Sequence, residues 1–178
     1  MMEDLSLHIL DIAENSIEAN ARRVAIRIEE RPSRDLLILE ITDDGRGMSP
    51  RLLARALDPF VTTNRAKRIG LGLPLLAQAA RATGGKVTLR SRPGCGTRVR
   101  ATFHLSHIDL QPLGDMAETL TVLMVGHPDV HFRYTHKTDA GTYAFRSCSG
   151  EASPARLQAI AGIKKDIRSG IARIRRKS

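Results

Sequence analysis

The chain has 178 residues, of which 42% are hydrophobic, and its formal net charge is +9. This length predicts one domain, or one domain with a substantial appendage, and the apolar fraction is enough for a sizeable core. No apolar run approaches the roughly 18 residues of a membrane span, and the N-terminus lacks a signal-peptide pattern. Cys95 and Cys148 have neither metal-ligand nor disulfide-framework spacing. We therefore expect a cytoplasmic protein with two reduced thiols and no membrane partner.

The positive charge is concentrated at the C-terminus. Residues 151–178 hold eight Lys or Arg against Glu151 and Asp166, which gives +6, so residues 1–150 carry +3. Because the body of the protein is only mildly basic, the overall charge is a poor argument for nucleic acid. A nucleic-acid partner is left open only through the basic tail.

The first predicted element is an amphipathic helix over residues 4–20, where one stripe recurs at helical spacing: Leu5, Ile9, Ile12, Ser16 and Ala19. Asp11 and Asn15 lie one turn apart on a different face of this helix. They can simply be solvated there, or they can chelate a hard cation such as Mg²⁺ that carries phosphates. His8 lies near the same face, and a structural role is preferred for it over a catalytic one.

Two strands follow, over residues 24–28 and 36–42, joined by a turn at 32–35. The second strand runs into Asp43-Asp44-Gly45-Arg46-Gly47. A strand that ends in this way directs one carboxylate out of the sheet edge, and its glycines let the backbone approach a ligand closely. Taken alone, the same residues also fit a plain turn.

A short helix is predicted after Ser49-Pro50, running through Leu57. A basic connection over residues 64–69 then leads into Gly70-Leu71-Gly72-Leu73, which opens a helix that continues to Ala80. Glycine amides and a helix N-terminus together favour phosphate binding. A glycine-rich turn with solvated cations explains the segment in isolation equally well.

Gly84-Gly85 ends that helix, and two alternating runs over residues 87–91 and 99–105 predict a hairpin. Thr97 opens the return strand, where its hydroxyl can turn towards a ligand. The order of elements predicts an α+β fold, a two-layer α/β sandwich with helices on one face of a mostly antiparallel sheet.

Five motifs in residues 5–105 resemble, in the right order, those of the ATP-binding domain shared by gyrase, Hsp90, histidine kinases and MutL, the Bergerat fold of the GHKL superfamily. They are the N-box Asp11-x-x-x-Asn15, the first glycine box Asp43–Gly47, the phenylalanine motif Asp58–Thr63, the second glycine box Gly70–Leu73, and the closing Gly94-x-Gly96-Thr97.

The resemblance implies ATP and Mg²⁺ as cofactors and assigns a role to each matching position. Asn15 would be the Mg²⁺ ligand together with Asp11, and Asp43 would accept a hydrogen bond from the adenine amino group. Thr97 would assist Asp43 through its hydroxyl or a water. The remaining cofactor-binding positions would form the adenine pocket floor, the phenylalanine motif and the phosphate-binding end of the lid: Gly45, Gly47, Met48, Phe60, Arg68, Gly70, Leu71 and Gly72.

Two positions depart from the family pattern. Asp11 stands where the family often has Glu as general base, and its side chain is one methylene shorter, so we expect slow hydrolysis. Glu14 points about 100° away from Asp11 on the helix and is a poor substitute. The lid is also short, and it carries Asn64 where many histidine kinases have Lys.

The layout predicts a stand-alone module. The domain begins almost at Met1, without the dimerising helical hairpin that carries the phospho-accepting histidine in histidine kinases. This layout is similar to that of anti-sigma factor serine kinases, whereas the phenylalanine motif and the second glycine box favour the histidine-kinase branch.

The chain divides by prediction into residues 1–108, the ATP-binding domain, and residues 109–178, a helix–hairpin–helix extension. Aromatic residues flank the hairpin turn 137–141, and an isoleucine stripe follows residue 154. The aromatic face could stack RNA bases, but packing against the final helix is preferred. Beyond Gly170 the chain is expected to project as a basic end that meets an acidic partner or nucleic acid.

These inferences predict a Mg²⁺-dependent ATP-binding protein of the histidine-kinase-like ATPase type that phosphorylates or regulates an unidentified partner protein. One alternative is a serine kinase that sequesters a sigma factor. The other is a non-catalytic binding module switched by ATP, which the Asp11 substitution leaves open.

Overall fold

The structure is a computed structural model that describes residues 4–59, 71–147 and 154–175. Five α-helices and six strands lie in these ranges. In chain order they are α1 (Leu5–Glu18), β1 (Arg23–Arg31), β2 (Leu36–Asp43), α2 (Pro50–Leu53), α3 (Gly72–Ala82), β3 (Lys86–Ser91), β4 (Thr97–Phe103), α4 (Met116–Gly126), β5 (His131–Thr138), β6 (Gly141–Arg146) and α5 (Pro154–Arg175), with a 3₁₀ turn at Pro32–Arg34.

Helix α1 forms close to where its periodicity predicts it. Asp4 caps the helix because its Oδ1 accepts a hydrogen bond from the Leu7 amide. The apolar face, which includes Leu5, Ile9 and Ile12, is almost fully buried. Helix α2 is shorter than predicted, since regular helix ends at Leu53 and residues 54–57 continue as turns.

The strands form one mixed sheet in the order β3-β4-β2-β1-β5-β6. All neighbouring pairs are antiparallel except β1 and β5, which are parallel. The predicted α+β sandwich with a mostly antiparallel sheet is therefore confirmed.

The core lies between one face of this sheet and the helices. Helices α1, α3 and α5 contact the sheet, and α4 packs against α1 and α5. Alternation along β1 directs Val24, Ile26 and Ile28 towards the helices, where each is at most 2% exposed. Among the described residues, no helix covers the opposite face of the sheet, and most side chains on it are exposed or partly exposed.

The C-terminal elements extend the same sheet rather than forming a second one. Strand β5 pairs with β1 from Arg23↔His131 to Glu29↔Lys137, and β6 pairs with β5. The division of the chain at residues 108 and 109 stays a prediction, and the sheet runs across it.

Helix α5 packs on the aromatic hairpin, as predicted. The Tyr143 hydroxyl donates to Asp166 Oδ2 at 2.8 Å, and a Cβ at Gly170 would lie 2.2 Å from the Tyr143 ring. Phe132 and Tyr134 are buried beneath the helix layer. These side chains belong to the core, which leaves them unable to stack bases.

The prediction that the chain projects freely beyond Gly170 is wrong for residues 171–175. Ile174 is 6% exposed, and its carbonyl accepts a hydrogen bond of 2.9 Å from the Thr138 hydroxyl. Arg175 Nε donates to Glu30 at 2.9 Å. The charged side chains alternate with isoleucines at helical spacing, so one face of the last turn is buried while Arg173 stays exposed. Residues 176–178 lie outside the described residues.

In the described part of the chain, no helix is long and apolar enough to cross a membrane. Cys95 is an exposed free thiol, and Cys148 lies outside the described residues.

Because Ile174 fills the core, Ile174→Ala should lower the free energy of unfolding by about 2 to 4 kcal/mol. Urea denaturation followed by circular dichroism measures this quantity. The matched control, Arg173→Ala, changes an exposed neighbour and should stay within about 0.5 kcal/mol of the wild type. Equal stabilities for both variants would show that the last turn of α5 does not pack on the sheet.

Candidate nucleotide-binding site

The candidate site is built around the Asp43 carboxylate, at the end of β2. This side chain is 9% exposed. It lies in register with Val24 at the start of β1, beside the C-terminal end of α1. Because Asp43 ends the central strand β2, its carboxylate lies at the strand ends of the sheet, while α1 above it excludes solvent.

Three donors from separate segments hold this carboxylate. Asp43 Oδ2 accepts from the Ser16 hydroxyl at 2.8 Å. Oδ1 accepts from the Gly45 amide at 2.9 Å and from the Thr97 amide at 3.1 Å. A buried charge is tolerated only when it is hydrogen-bonded in this way. The bonds fix the orientation of the carboxylate, and within the described residues Oδ2 retains one acceptor position.

Sequence reasoning missed Ser16. Its position in the helical repeat made it look like a member of the apolar stripe of α1, and it is indeed 4% exposed. A buried hydroxyl requires a partner, and the Ile12 carbonyl oxygen, 3.1 Å from Ser16 Oγ, shares the single hydroxyl proton with the nearer Asp43 Oδ2. A polar residue on the buried face, directly after Asn15, was the signal that could have identified it.

The first glycine box packs against the β3–β4 hairpin. Gly47 has φ +67°, and a Cβ there would lie 2.0 Å from the Arg92 carbonyl oxygen, so only glycine allows this approach. The Met48 amide donates to Ser91 Oγ at 2.8 Å. Thr97 reaches Asp43 through its backbone amide, whereas its hydroxyl lies 2.9 Å from Ser91 Oγ. Ser91 is a second residue that the motifs did not identify.

The N-box and the second glycine box meet at the start of α3. A Cβ at Gly72 would lie 1.9 Å from Asp11 Oδ2 and 3.2 Å from Asn15 Nδ2. The fold therefore brings Asp11, Asn15 and Gly72 together, although about 60 residues separate the two motifs in sequence. Asn15 is exposed and Asp11 is half-buried. Leu71, the N-cap residue of α3 directly before Gly72, is 47% exposed.

This donor set fits Mg²⁺ bound together with phosphates. Within the described residues, no group of three or more His, Cys, Asp or Glu could hold a metal by itself. Mg²⁺ is commonly bound by one or two carboxylates plus substrate phosphates instead of an all-protein cage. A carboxylate and an amide beside the N-terminus of a helix match that pattern.

Two other polar residues of α1 are engaged elsewhere. Glu14 lies 3.0 Å from His127 Nε2, at the end of α4, so it faces away from Asp11. His8 is 2% exposed and its Nε2 lies 3.2 Å from Gln111 Oε1. Burial lowers the pKa of His8, although the hydrogen bond with Gln111 opposes this shift. His8 is thus a core residue.

Phe60, Arg68 and Gly70 lie outside the described residues. The predicted basic connection over residues 64–69 lies outside them as well. Their assignment to the cofactor stays a prediction.

Over residues 3–107 the chain matches the family described as histidine kinase-, DNA gyrase B- and HSP90-like ATPase. This match covers more than half of the chain, and the protein therefore belongs to that family. The resemblance carried by the five motifs is confirmed, and the family supports ATP as the ligand of this site.

Two relatives of this chain in sequence are sensor kinases. Sensor protein kinase FleS of Pseudomonas aeruginosa is 39% identical over 110 residues, which cover 62% of this chain and 27% of FleS. Sensor histidine kinase ZraS of Salmonella typhimurium is 33% identical over 89 residues, which cover 49% of this chain and 19% of ZraS. The chain thus matches less than a third of the length of either relative.

Among solved structures, the Aquifex aeolicus MutL ATPase domain complexed with ADP has a TM-score of 0.60 to this chain at 14% identity. The likeness covers 91% of this chain and 70% of that chain. At this identity it shows the fold alone. Its coverage extends beyond residue 107, so the shared fold includes part of the C-terminal elements.

Ser16→Ala should lower the free energy of unfolding by about 1 to 3 kcal/mol, because it leaves a buried carboxylate oxygen without its donor. Urea denaturation at neutral pH measures the change. Ser33→Ala is the matched control, since Ser33 is exposed and makes its hydrogen bond through the backbone. A Ser16→Ala variant as stable as the control would show that the hydroxyl does not hold Asp43.

Proposed function

We propose that this protein binds Mg-ATP and uses it to phosphorylate or regulate a partner protein. The observation that carries the proposal is the buried Asp43 carboxylate, which hydrogen bonds from three segments hold at the end of β2. Oδ2 would use its remaining acceptor position for the adenine amino group.

This geometry would select adenine over guanine. Adenine presents an amino donor at the position where guanine presents a carbonyl acceptor. A carboxylate accepts from the amino group, but it repels the carbonyl oxygen, and neither could be rehydrated in a buried pocket. Recognition by a buried polar group therefore discriminates strongly between the two bases.

The phosphates would lie at the N-terminus of α3. Helix α3 has 11 residues, and its first amides and dipole favour an anion. Asn15 and Asp11 would hold Mg²⁺ beside Gly72, where the ion supplies positive charge to the phosphates. The contact of both side chains with the Gly72 position supports this arrangement.

Kinase chemistry suits the site better than rapid hydrolysis. Hydrolysis needs a general base within hydrogen-bond reach of a water, and Asp11 is one methylene shorter than Glu. Glu14 is paired with His127 and would not replace it. Phosphoryl transfer to an imidazole needs no strong base, and the sensor kinase relatives support transfer to a protein.

A non-catalytic module that ATP switches between partner-binding states is the second candidate. The same pair of observations favours it, namely the short Asp11 side chain and the engagement of Glu14 with His127. This candidate predicts nucleotide-dependent partner binding without label transfer.

Calorimetry should show at least about 100-fold tighter binding of Mg-ATP than of Mg-GTP. Asp43→Asn should abolish most ATP binding. The substituted amide oxygen can still accept from Gly45 and Thr97, and the amide nitrogen can donate to Ser16, so the fold should survive. Asp44→Asn is the matched control, because Asp44 is exposed and, among the residues that the structure describes, its carboxylate accepts only from the Arg22 and Arg23 amides. Equal affinities for both nucleotides, or an unaffected Asp43→Asn variant, would refute the adenine pocket.

With γ-³²P-labelled ATP, wild-type protein should release phosphate slowly and transfer label to a candidate partner protein. Asp11→Glu should raise phosphate release about tenfold at saturating Mg-ATP, if the reach of the base limits hydrolysis. Asp11→Asn should not raise it. Fast wild-type hydrolysis, or no gain in Asp11→Glu, would exclude Asp11 as a base that is too short. Failure to label any partner, with ATP-dependent partner binding intact, would favour the switched module.

A further inference from the structure

The open face of the sheet carries the side chains that alternate with the core residues. On β1, Val24, Ile26 and Ile28 face the helices, so Arg23, Arg27 and Arg31 face the other way. The cross-strand register extends this face over all six strands, because directly paired residues share a face. Its composition can therefore be read from the pairing.

At one edge, four cations share the open face of β3 and β4. Lys86, Arg90, Arg98 and Arg100 are all exposed. Arg90 is paired directly opposite Arg98. Like charges directly opposite each other destabilise a sheet.

The same arrangement recurs at the other edge. Arg133 of β5 is paired directly opposite Arg146 of β6, and both are exposed. Arg133 also lies beside Ala25 of β1, which provides no opposite charge. The two Arg–Arg pairs lie at opposite edges of one sheet, and an external anion would offset their repulsion.

Carboxylates neutralise only part of this charge. The open face of the six strands holds ten Lys or Arg against Glu29 and Glu40. Glu40 lies 3.5 Å from Arg100, and Glu29 lies 2.7 Å from Arg27 and also pairs with Arg31 and Lys137. Within the described part of the chain, five cations have no carboxylate partner: Arg23, Lys86, Arg90, Arg133 and Arg146.

The side chains on this face match a phosphate backbone better than an acidic protein. Protein interfaces depend on apolar and aromatic anchors at their centre. The described strands place no Phe, Tyr or Trp on the open face, where the only aromatic ring is the imidazole of His131, and the central aliphatic residue, Ile38, is only 4% exposed. Eight of the ten cations are arginines, whose planar guanidinium pairs with phosphate in a bidentate way.

The dimensions favour a duplex over a single strand. Six strands at a spacing of about 4.8 Å span roughly 24 Å. A duplex presents one charge per about 1.7 Å, hence roughly 14 phosphates over that length. Single strands are usually held by base stacking on several aromatic side chains, whereas the described strands offer only the imidazole of His131 on this face.

We propose that the open face of the sheet binds the phosphate backbone of duplex nucleic acid without reading its sequence. This surface is separate from the nucleotide site, which lies on the helix side of the sheet, at the end of the central strand β2. Binding should therefore persist in Asp43→Asn.

The test uses the full chain and a fluorescein-labelled DNA duplex of 30 base pairs in fluorescence anisotropy. The wild type should bind at 50 mM NaCl with a dissociation constant of roughly 10⁻⁶ to 10⁻⁴ M and lose affinity steeply by 200 mM. Arg90→Gln/Arg133→Gln/Arg146→Gln should weaken binding at least about tenfold and reduce the salt slope by about 2 to 3. Its melting temperature should not fall, because the substitutions remove like-charge pairs.

The matched control is Arg81→Gln/Lys165→Gln/Arg173→Gln, which removes the same charge from exposed positions on the helix layer. It should keep its duplex affinity within about twofold. No wild-type binding at 50 mM NaCl, or equal losses in both triple variants, would overturn the proposal. So would a wild type that binds polyglutamate through this face but not the duplex, since the partner would then be an acidic protein. Because Asp43→Asn is assayed in parallel, loss of ATP binding and loss of duplex binding are distinguished.

Discussion

The hydrogen bonds that converge on the Asp43 carboxylate connect the helix layer to the sheet. Ser16 belongs to α1, Gly45 to the loop after β2, and Thr97 to the first position of β4. A one-residue shift in the β2–β4 register would turn the neighbouring side chains to the opposite face and displace the Thr97 amide. The nucleotide site therefore depends on the register of the sheet as well as on its own loop.

A second buried polar chain fixes the end of α5. The Tyr134 hydroxyl lies 2.8 Å from His136 Nδ1, and His136 Nε2 lies 2.5 Å from Glu30 Oε1. Arg175 completes the chain with its bond to the same oxygen of Glu30. Burial by itself would raise the pKa of Glu30, but the hydrogen bonds from His136 and Arg175 outweigh it and hold that pKa below its ordinary value. These contacts explain why the basic last turn of α5 packs against the sheet.

The two faces of the sheet follow from a single alternation. On β1, Val24, Ile26 and Ile28 are aliphatic and face the helices, whereas four of the five residues that face the other way are charged. A sheet covered on one side normally shows polar residues on its open side. Solubility alone, however, would be met by mixed signs, and ten of the twelve charged residues on this face are positive. The surplus of arginine therefore points to a partner.

The sequence by itself determined the local features of this protein. Strand periodicity located β2, helical spacing located α1, and the glycine boxes identified the family, because each is a short-range pattern that limits its own backbone. The same reasoning indicated Asp43, Asn15 and Gly72 as site positions.

Only the tertiary structure decided which distant groups meet. The sequence assigned Ser16 to the apolar stripe of α1, and only the fold shows that it contacts Asp43. The sequence likewise assigned Ile174 to a projecting basic end, whereas the fold buries it. Residues 1–150 carry only +3 as a whole, yet the strand register gathers ten cations from this region on one face. Composition sums charge over the whole surface, whereas strand pairing determines which charges lie side by side.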